Sequence, residues 1–237
     1  MSFETTQWTM VVAAGDSQHP GSRAALSDLC QSYWYPLYAY LRRRGYPQEE
    51  AEDLVQGFFT QLLDKSYLKA ADKERGRFRS FLLTALKNYA ANEWDRKQAQ
   101  KRGGATTTLS LDFETAEGRY HIEPSDDLTP EQEFDRGWAT AQLEHVLERM
   151  RADSGEDEDG DERYELLQGF LTGEGEDIRY KDVAERLGMT EGAVKVAVHR
   201  LRRRFGTVLR EEVVRTLNDP ADVDDEIRHL FAAFETR

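Results

Sequence analysis

One cysteine, Cys30, in 237 residues leaves no internal disulfide framework and fits a reducing interior. No apolar run approaches the roughly 20 residues that cross a bilayer. The opening residues, MSFETTQWTMVVAAGD, carry acid where a secretory leader carries positive charge. The chain is therefore expected to be cytoplasmic, with no membrane partner. Five histidines stand at 19, 121, 145, 199 and 229, and no two share helical metal-ligand spacing, so no metal is expected. A glycine-rich phosphate loop and a nucleophile–base pair are both missing, which excludes the common enzyme signatures and calls for no cofactor. No segment reads as a sheet, and there are no internal repeats.

What the chain does have is charge and helical periodicity. Charged residues make up 32% and hydrophobic ones 39%, the balance of a polar, helical, soluble protein. The net charge of −13 is unevenly placed. Asp112 to Arg163 holds 18 acids against five arginines, which accounts for the whole excess. Glu191–Arg210 holds six Lys/Arg against one Glu. A phosphate backbone responds to the local patch within a Debye length, so the overall acidity does not exclude nucleic acid.

Along the chain, Phe3, Trp8, Val11 and Val12 suggest a short helix or docked arm. Ser22–Arg44 repeats apolar residues at 3 and 4, with a kink or restart expected at Pro36. Its aromatics Tyr33, Trp34, Tyr35, Tyr38 and Tyr40 read as core rather than as a base-stacking platform. Pro47 opens a helix over Gln48–Leu63, whose first turns gather Glu49, Glu50, Glu52 and Asp53. Two i,i+4 rows, Leu54–Phe58–Leu62 and Val55–Phe59–Leu63, make it broadly buried. Arg77–Gln100 is a long helix with Asn88 and Asn92 one turn apart, Trp94 nearby, and a basic end at Arg96, Lys97, Lys101 and Arg102. Asparagine can bond base edges, tryptophan can stack on bases and cations hold phosphates.

Residues 103–129 lack periodicity and read as linker, followed by a helix from Thr129-Pro130 to about Met150. Ala152–Glu162, ADSGEDEDGDE, reads as an acidic, mobile spacer. Arg163–Leu171 is a short helix, and Pro220–Phe234 is a final amphipathic one.

Between them lies YKDVAERLGMTEGAVKVAVHRLRRR, residues 180–204. Val183, Ala184 and Leu187 mark a short buried stripe, Gly188 a helix stop and Thr190 an N-cap. Val194, Val198, Leu201 and Phe205 form the seam of a second helix, flanked by Lys195, Val196, His199, Arg200, Arg202 and Arg203. A helix that packs by one face and offers cations on the other suits a major groove.

Three passages, in this order, resemble bacterial sigma factors of the sigma-70 family, of the extracytoplasmic-function type with only regions 2 and 4. EEAEDLVQGFFTQLL resembles the region 2 helix that docks on the clamp helices of the polymerase largest subunit. GRFRSFLLTALKNYAANEWDRKQAQKR resembles the helix that opens and reads the −10 element. YKDVAERLGMTEGAVKVAVHRLRRR resembles region 4, which reads the −35 element and touches the polymerase flap.

The resemblance implies an all-α protein: two small helical domains joined by a long acidic linker. The expected segments are 1–103 for region 2, 104–162 for the linker, 163–217 for region 4 and 218–237 for a C-terminal extension. It implies that Glu52, Asp53, Leu54, Gln56 and Phe59 dock on polymerase. Asn88 and Asn92 would lie near the flipped −10 base, with the Ser66–Arg79 loop helping to form its pocket. Arg96, Lys97, Lys101 and Arg102 would hold upstream phosphates. Thr190, Lys195, Val196, His199 and Arg200 would face the −35 element, and Arg203 and Arg204 its phosphates. The implied partners are core RNA polymerase and promoter DNA, with an anti-sigma factor or a Ser/Thr kinase as regulator, and a monomer when free. Thr106–Thr108 and Ser110 are acceptors for such a kinase.

The chain departs from the family where members often carry a polar residue and an arginine, at Val196 and Ala197. Methyl-to-thymine contact would then replace some polar readout. The competing expectation is a stand-alone helix-turn-helix regulator that binds duplex DNA as a dimer. A nucleic-acid-processing enzyme is a second alternative, opposed by the missing catalytic residues. The localised acid also leads to the expectation that the middle segment competes with DNA for the basic helices.

Overall fold

The computed structural model describes residues 33–63, 77–99, 120, 128–154, 158–172 and 179–235. The protein is all-α. Among the described residues the extended pairing is one isolated antiparallel bridge, Arg77 to Leu217.

The helices start and stop where local chemistry directs. Helix α1, residues 33–43, has Pro36 in its first described turn, and the preceding stretch of the expected Ser22–Arg44 helix lies outside the described residues. Helix α1 ends on Gly45 at φ +90°, with the Tyr46 amide donating to Leu41 O at 3.1 Å and that of Gly45 to Arg42 O at 3.0 Å. This pair of bonds is the left-handed glycine stop that satisfies the last carbonyls of a helix. Helix α2, Gln48–Leu63, follows Pro47 with Glu49 and Glu50 in its first turn. Helix α3 is Phe78–Ala99, and α4 is Pro130–Ala152. At the start of α4, Thr129 Oγ1 accepts from the Gln132 amide and Gln132 Oε1 accepts from the Thr129 amide, a reciprocal cap with proline at the first helical position.

Helix α5 is Glu158–Thr172, α6 Tyr180–Arg186 and α7 Glu191–Arg215. A short 3-10 turn, Pro220–Asp222, leads into α8, Val223–Glu235. The acidic spacer is shorter than expected, because α5 begins at Glu158 rather than Arg163. Acids in a first turn favour the positive end of the helix dipole. Tyr164 and Leu167 bury one side of α5, and the Tyr164 hydroxyl donates to Leu147 O at 2.9 Å. Residues 155–157 lie outside the described residues, as do the arm at 3–12 and Thr106–Ser110.

The chain divides into two compact units, Met1–Ala141 with Val213–Arg237, and Gln142–Glu212. The first contains α1, α2, α3, the start of α4 and α8. Tyr33, Leu37, Tyr38, Leu41, Val55, Phe58, Phe59, Leu62, Phe78, Leu82, Leu86, Phe134, Trp138, Leu217 and Leu230 are buried in it. Tyr33, Tyr35, Tyr38 and Tyr40 of α1 therefore serve as core, as their spacing indicates, while Trp34 is half-buried; the ring of Tyr33 meets Phe78 edge-on at 5.0 Å. Trp138 Nε1 donates to Tyr33 OH at 3.0 Å. Burial pushes the Tyr33 phenol well above its ordinary value, and the carboxylate of Glu226 adds to the effect.

These units do not follow the four expected segments. The start of α4 and the residues after Leu217, expected as linker and extension, belong with the first unit. Apolar burial decides this, since Phe134, Trp138, Val223 and Leu230 share its core. The second unit is built on Leu167, Val183, Ala184, Val194, Ala197 and Val198, with Leu166, Phe170, Tyr180, Leu187, Met189 and Leu201 packed around them.

Candidate nucleic-acid interface

In the first unit, α3 buries Phe78, Phe81, Leu82, Ala85, Leu86, Tyr89 and Ala90. Ser80, Thr84, Asn88 and Asn92 recur every fourth residue and are all exposed, which makes an uncharged polar stripe along the helix. An amide group offers both a donor and an acceptor, so paired asparagines on this stripe can satisfy the edge of an unpaired base. Trp94 is 57% exposed, but 100° per residue places it roughly 120–160° around the helix from the asparagines. It is not part of their face. Arg96 and Lys97 lie in α3 with side chains outside the described residues; Lys101 and Arg102 lie outside them altogether.

Arg79 does not line a pocket in the loop before α3. It is 7% exposed, with its guanidinium held by Glu226 at 2.7 Å and Asp135 at 2.8 Å and stacked over Trp138. The rest of that loop, 66–76, lies outside the described residues.

On α2, Asp53 is exposed, and Glu52 and Gln56 are partly exposed. Glu52 accepts a hydrogen bond from Gln48 Nε2 at 3.0 Å. Leu54 and Phe59 are buried in the core. A docking role for those two is corrected accordingly: they support the surface from beneath, with the Phe59 ring 5.5 Å from that of Phe58, which in turn meets Tyr89 of α3 at 5.9 Å. Gly57 permits that approach, since a Cβ there would strike the Tyr89 hydroxyl.

In the second unit, α6, a tight turn and α7 form a helix-turn-helix. Gly188 sits at φ +62°; its amide donates to Glu185 O at 3.4 Å and that of Met189 to Ala184 O at 2.9 Å. Thr190 Oγ1 then accepts from the Ala193 amide at 3.2 Å and caps α7, the part its position indicates. Lys195, Val196, His199, Arg200 and Arg203 are exposed on successive turns of α7. Val196 is 50% exposed, whereas Ala197 is buried in the hydrophobic core and so faces away from any ligand. Lys195 Nζ lies 5.5 Å from the centre of the Tyr180 ring. Arg202 donates to Phe170 O at 3.1 Å. Arg204 is not an open phosphate contact: its NH2 lies 2.6 Å from Asp153 Oδ2. Arg186 meets Glu162 at 3.4 Å.

The burial of Glu212 and Glu226 was not anticipated. Glu212, in α7, is held by Arg149 of α4 at 2.6 Å, and Glu226 by Arg79 and Arg77. Their signal was present: each stands inside an apolar stripe, Glu226 between Val223 and Leu230, and Glu212 between Val208 and Val213.

Residues 29–100, which include α1, α2 and α3, match the family described as Sigma-70 region 2. The match supports a sigma-70 family factor. Region 2 of that family points to transcription that depends on RNA polymerase, with core polymerase and promoter DNA as its general partners. Comparison with curated proteins and with solved structures returns no match. Among the described residues, no helix is long and apolar enough to cross a membrane, and no cluster of His, Cys, Asp or Glu could hold a metal ion.

Proposed function

We propose that this chain is an extracytoplasmic-function type sigma factor, a protein without chemistry of its own that recruits core RNA polymerase to specific promoters. The observation that carries the reading is the region 2 match over α1–α3 combined with the exposed polar stripe of Asn88 and Asn92. Glu52, Asp53 and Gln56 of α2 would meet the clamp helices of the largest subunit. Asn88 and Asn92 would receive an extruded −10 base, with the basic end of α3 on upstream phosphates. Extruding a base costs a few kcal/mol, which the amide contacts and cations must offset.

Helix α7 would enter the −35 major groove through Lys195, Val196, His199 and Arg200. The exposed Val196 favours apolar contact with a thymine methyl at its position. Arg203 reaches phosphate directly, and Arg204 does so once it leaves Asp153. The expected site is intracellular, the free protein a monomer, and an anti-sigma factor or a Ser/Thr kinase a fitting regulator.

Transcription by core polymerase with and without this protein tests the reading, with permanganate reactivity marking unpaired thymines. The expected result is core binding and protein-dependent opening. Duplex binding as a dimer, without core binding, would instead establish the stand-alone regulator.

A further inference from the structure

Helix α3 begins badly for a helix. Its first turn has no acidic residue, while Arg77 and Arg79 place two cations at the end where the backbone dipole is already positive. The missing anion comes from the C-terminal helix α8. Glu226, 1% exposed, receives Arg79 Nε at 2.7 Å on one carboxylate oxygen; Arg79 NH2 at 3.4 Å and Arg77 NH1 at 3.1 Å reach the other. Asp135 of α4 takes Arg79 NH1 at 2.8 Å. The backbone repeats the connection, because the Phe78 amide donates to Thr216 O at 3.2 Å beside the Arg77–Leu217 bridge.

A buried ion cluster is weak evidence for stability, since apolar residues of similar volume often do as well. What it does supply is direction: a guanidinium fork held on two carboxylates has one orientation. That orientation fixes the axial rotation of α3, and a helix carries it onward to Asn88 and Asn92.

We infer that Glu226 is a positioning residue for promoter opening, by which the C-terminal helix sets the start and rotation of the helix that reads the −10 element. The inference rests on the reading of α3 given above. It makes residues 218–235 a working part of the promoter-opening unit.

The test uses the full chain with core polymerase, comparing wild type, Glu226→Gln, and the double variant Arg79→Met/Glu226→Leu. Core affinity, thermal midpoint and permanganate reactivity are read for each. Glu226→Gln should lower opening about fivefold at unchanged core affinity, in the range by which residues outside a site modulate coupling. The double variant, with both charges removed, should recover the thermal midpoint while opening stays low. Opening that returns together with the midpoint would show a purely structural role and overturn the proposal. Should the double variant fail to fold, Glu226→Gln decides alone, and wild-type opening in it overturns the proposal. A wild-type protein that neither binds core nor opens promoter would remove the reading of α3, and the proposal with it. Wild-type opening matched by Glu226→Gln removes the proposal only.

Discussion

Asp153, just past the end of α4, holds Arg204 of the basic helix α7 at 2.6 Å. A DNA phosphate that approaches Arg204 must therefore displace a carboxylate already in place. Both partners are substantially exposed, so the pair is a modest competitor, worth about 0.2–1 kcal/mol. Asp153→Asn should accordingly raise duplex affinity by a factor of about 1.4 to 5 at low salt. The gain should shrink above physiological salt as screening weakens both contacts. Equal affinities at low salt, measured by fluorescence anisotropy, would remove Asp153 as a competitor. Neutralising acids from Glu156 to Glu162 tests the wider acidic segment in the same assay.

Asn88 and Asn92 are exposed one turn apart and carry no part of the core. Changing both to Ala should leave the thermal midpoint within a few degrees, since exposed substitutions usually lie within about 0.5 kcal/mol. Promoter opening should fall while core affinity is kept. A loss of core affinity would instead assign the pair to docking or structure.

Lys87 of α3 and Glu131 of α4 form an ion pair at 2.8 Å. The hydrogen bond from Lys87 holds the Glu131 carboxyl below its ordinary value, against the smaller opposing effect of burial. For Lys87, burial works to lower the ammonium, but the hydrogen bond to Glu131 and the nearby Tyr40 outweigh it and leave it raised. The depressed acid adds stability above its unfolded pKa and loses it as pH falls through the folded value. The raised base adds stability below its unfolded pKa and loses it as pH rises through the folded value. Both side chains are two-fifths exposed or more, so solvent screening keeps the total to a few tenths of a kcal/mol. Lys87→Met should show a steady deficit in urea midpoint between about pH 5 and 10, closing at both extremes. A deficit independent of pH would mean that packing, not charge, is lost.

Gly188 occupies φ +62° with open space where a side chain would project. Gly188→Ala therefore meets backbone strain rather than collision, and should destabilise the helix-turn-helix by about 1 kcal/mol. Gly188→Asn should lose less, because asparagine tolerates the left-handed region better. Denaturant midpoints of the two variants decide the order, and an alanine variant as stable as wild type would contradict it.

Local chemistry made much of this protein readable in advance. The 3-and-4 spacing of apolar residues placed α2, α3 and α7. Gly188 and Thr190 marked the turn between α6 and α7, because a left-handed stop and a side-chain cap each need a particular residue type at a particular position. Asn88 and Asn92 were legible as a shared face, since four residues make just over one turn. Tertiary structure decided which side of a doubly apolar helix counts as surface, and so removed Leu54 and Phe59 from the docking face. It also decided which charges are spoken for. Arg79 and Glu226 stand 147 residues apart. Local pattern reports what a residue prefers, but an ion pair depends on two segments arriving at one place, and only the packed chain brings them there.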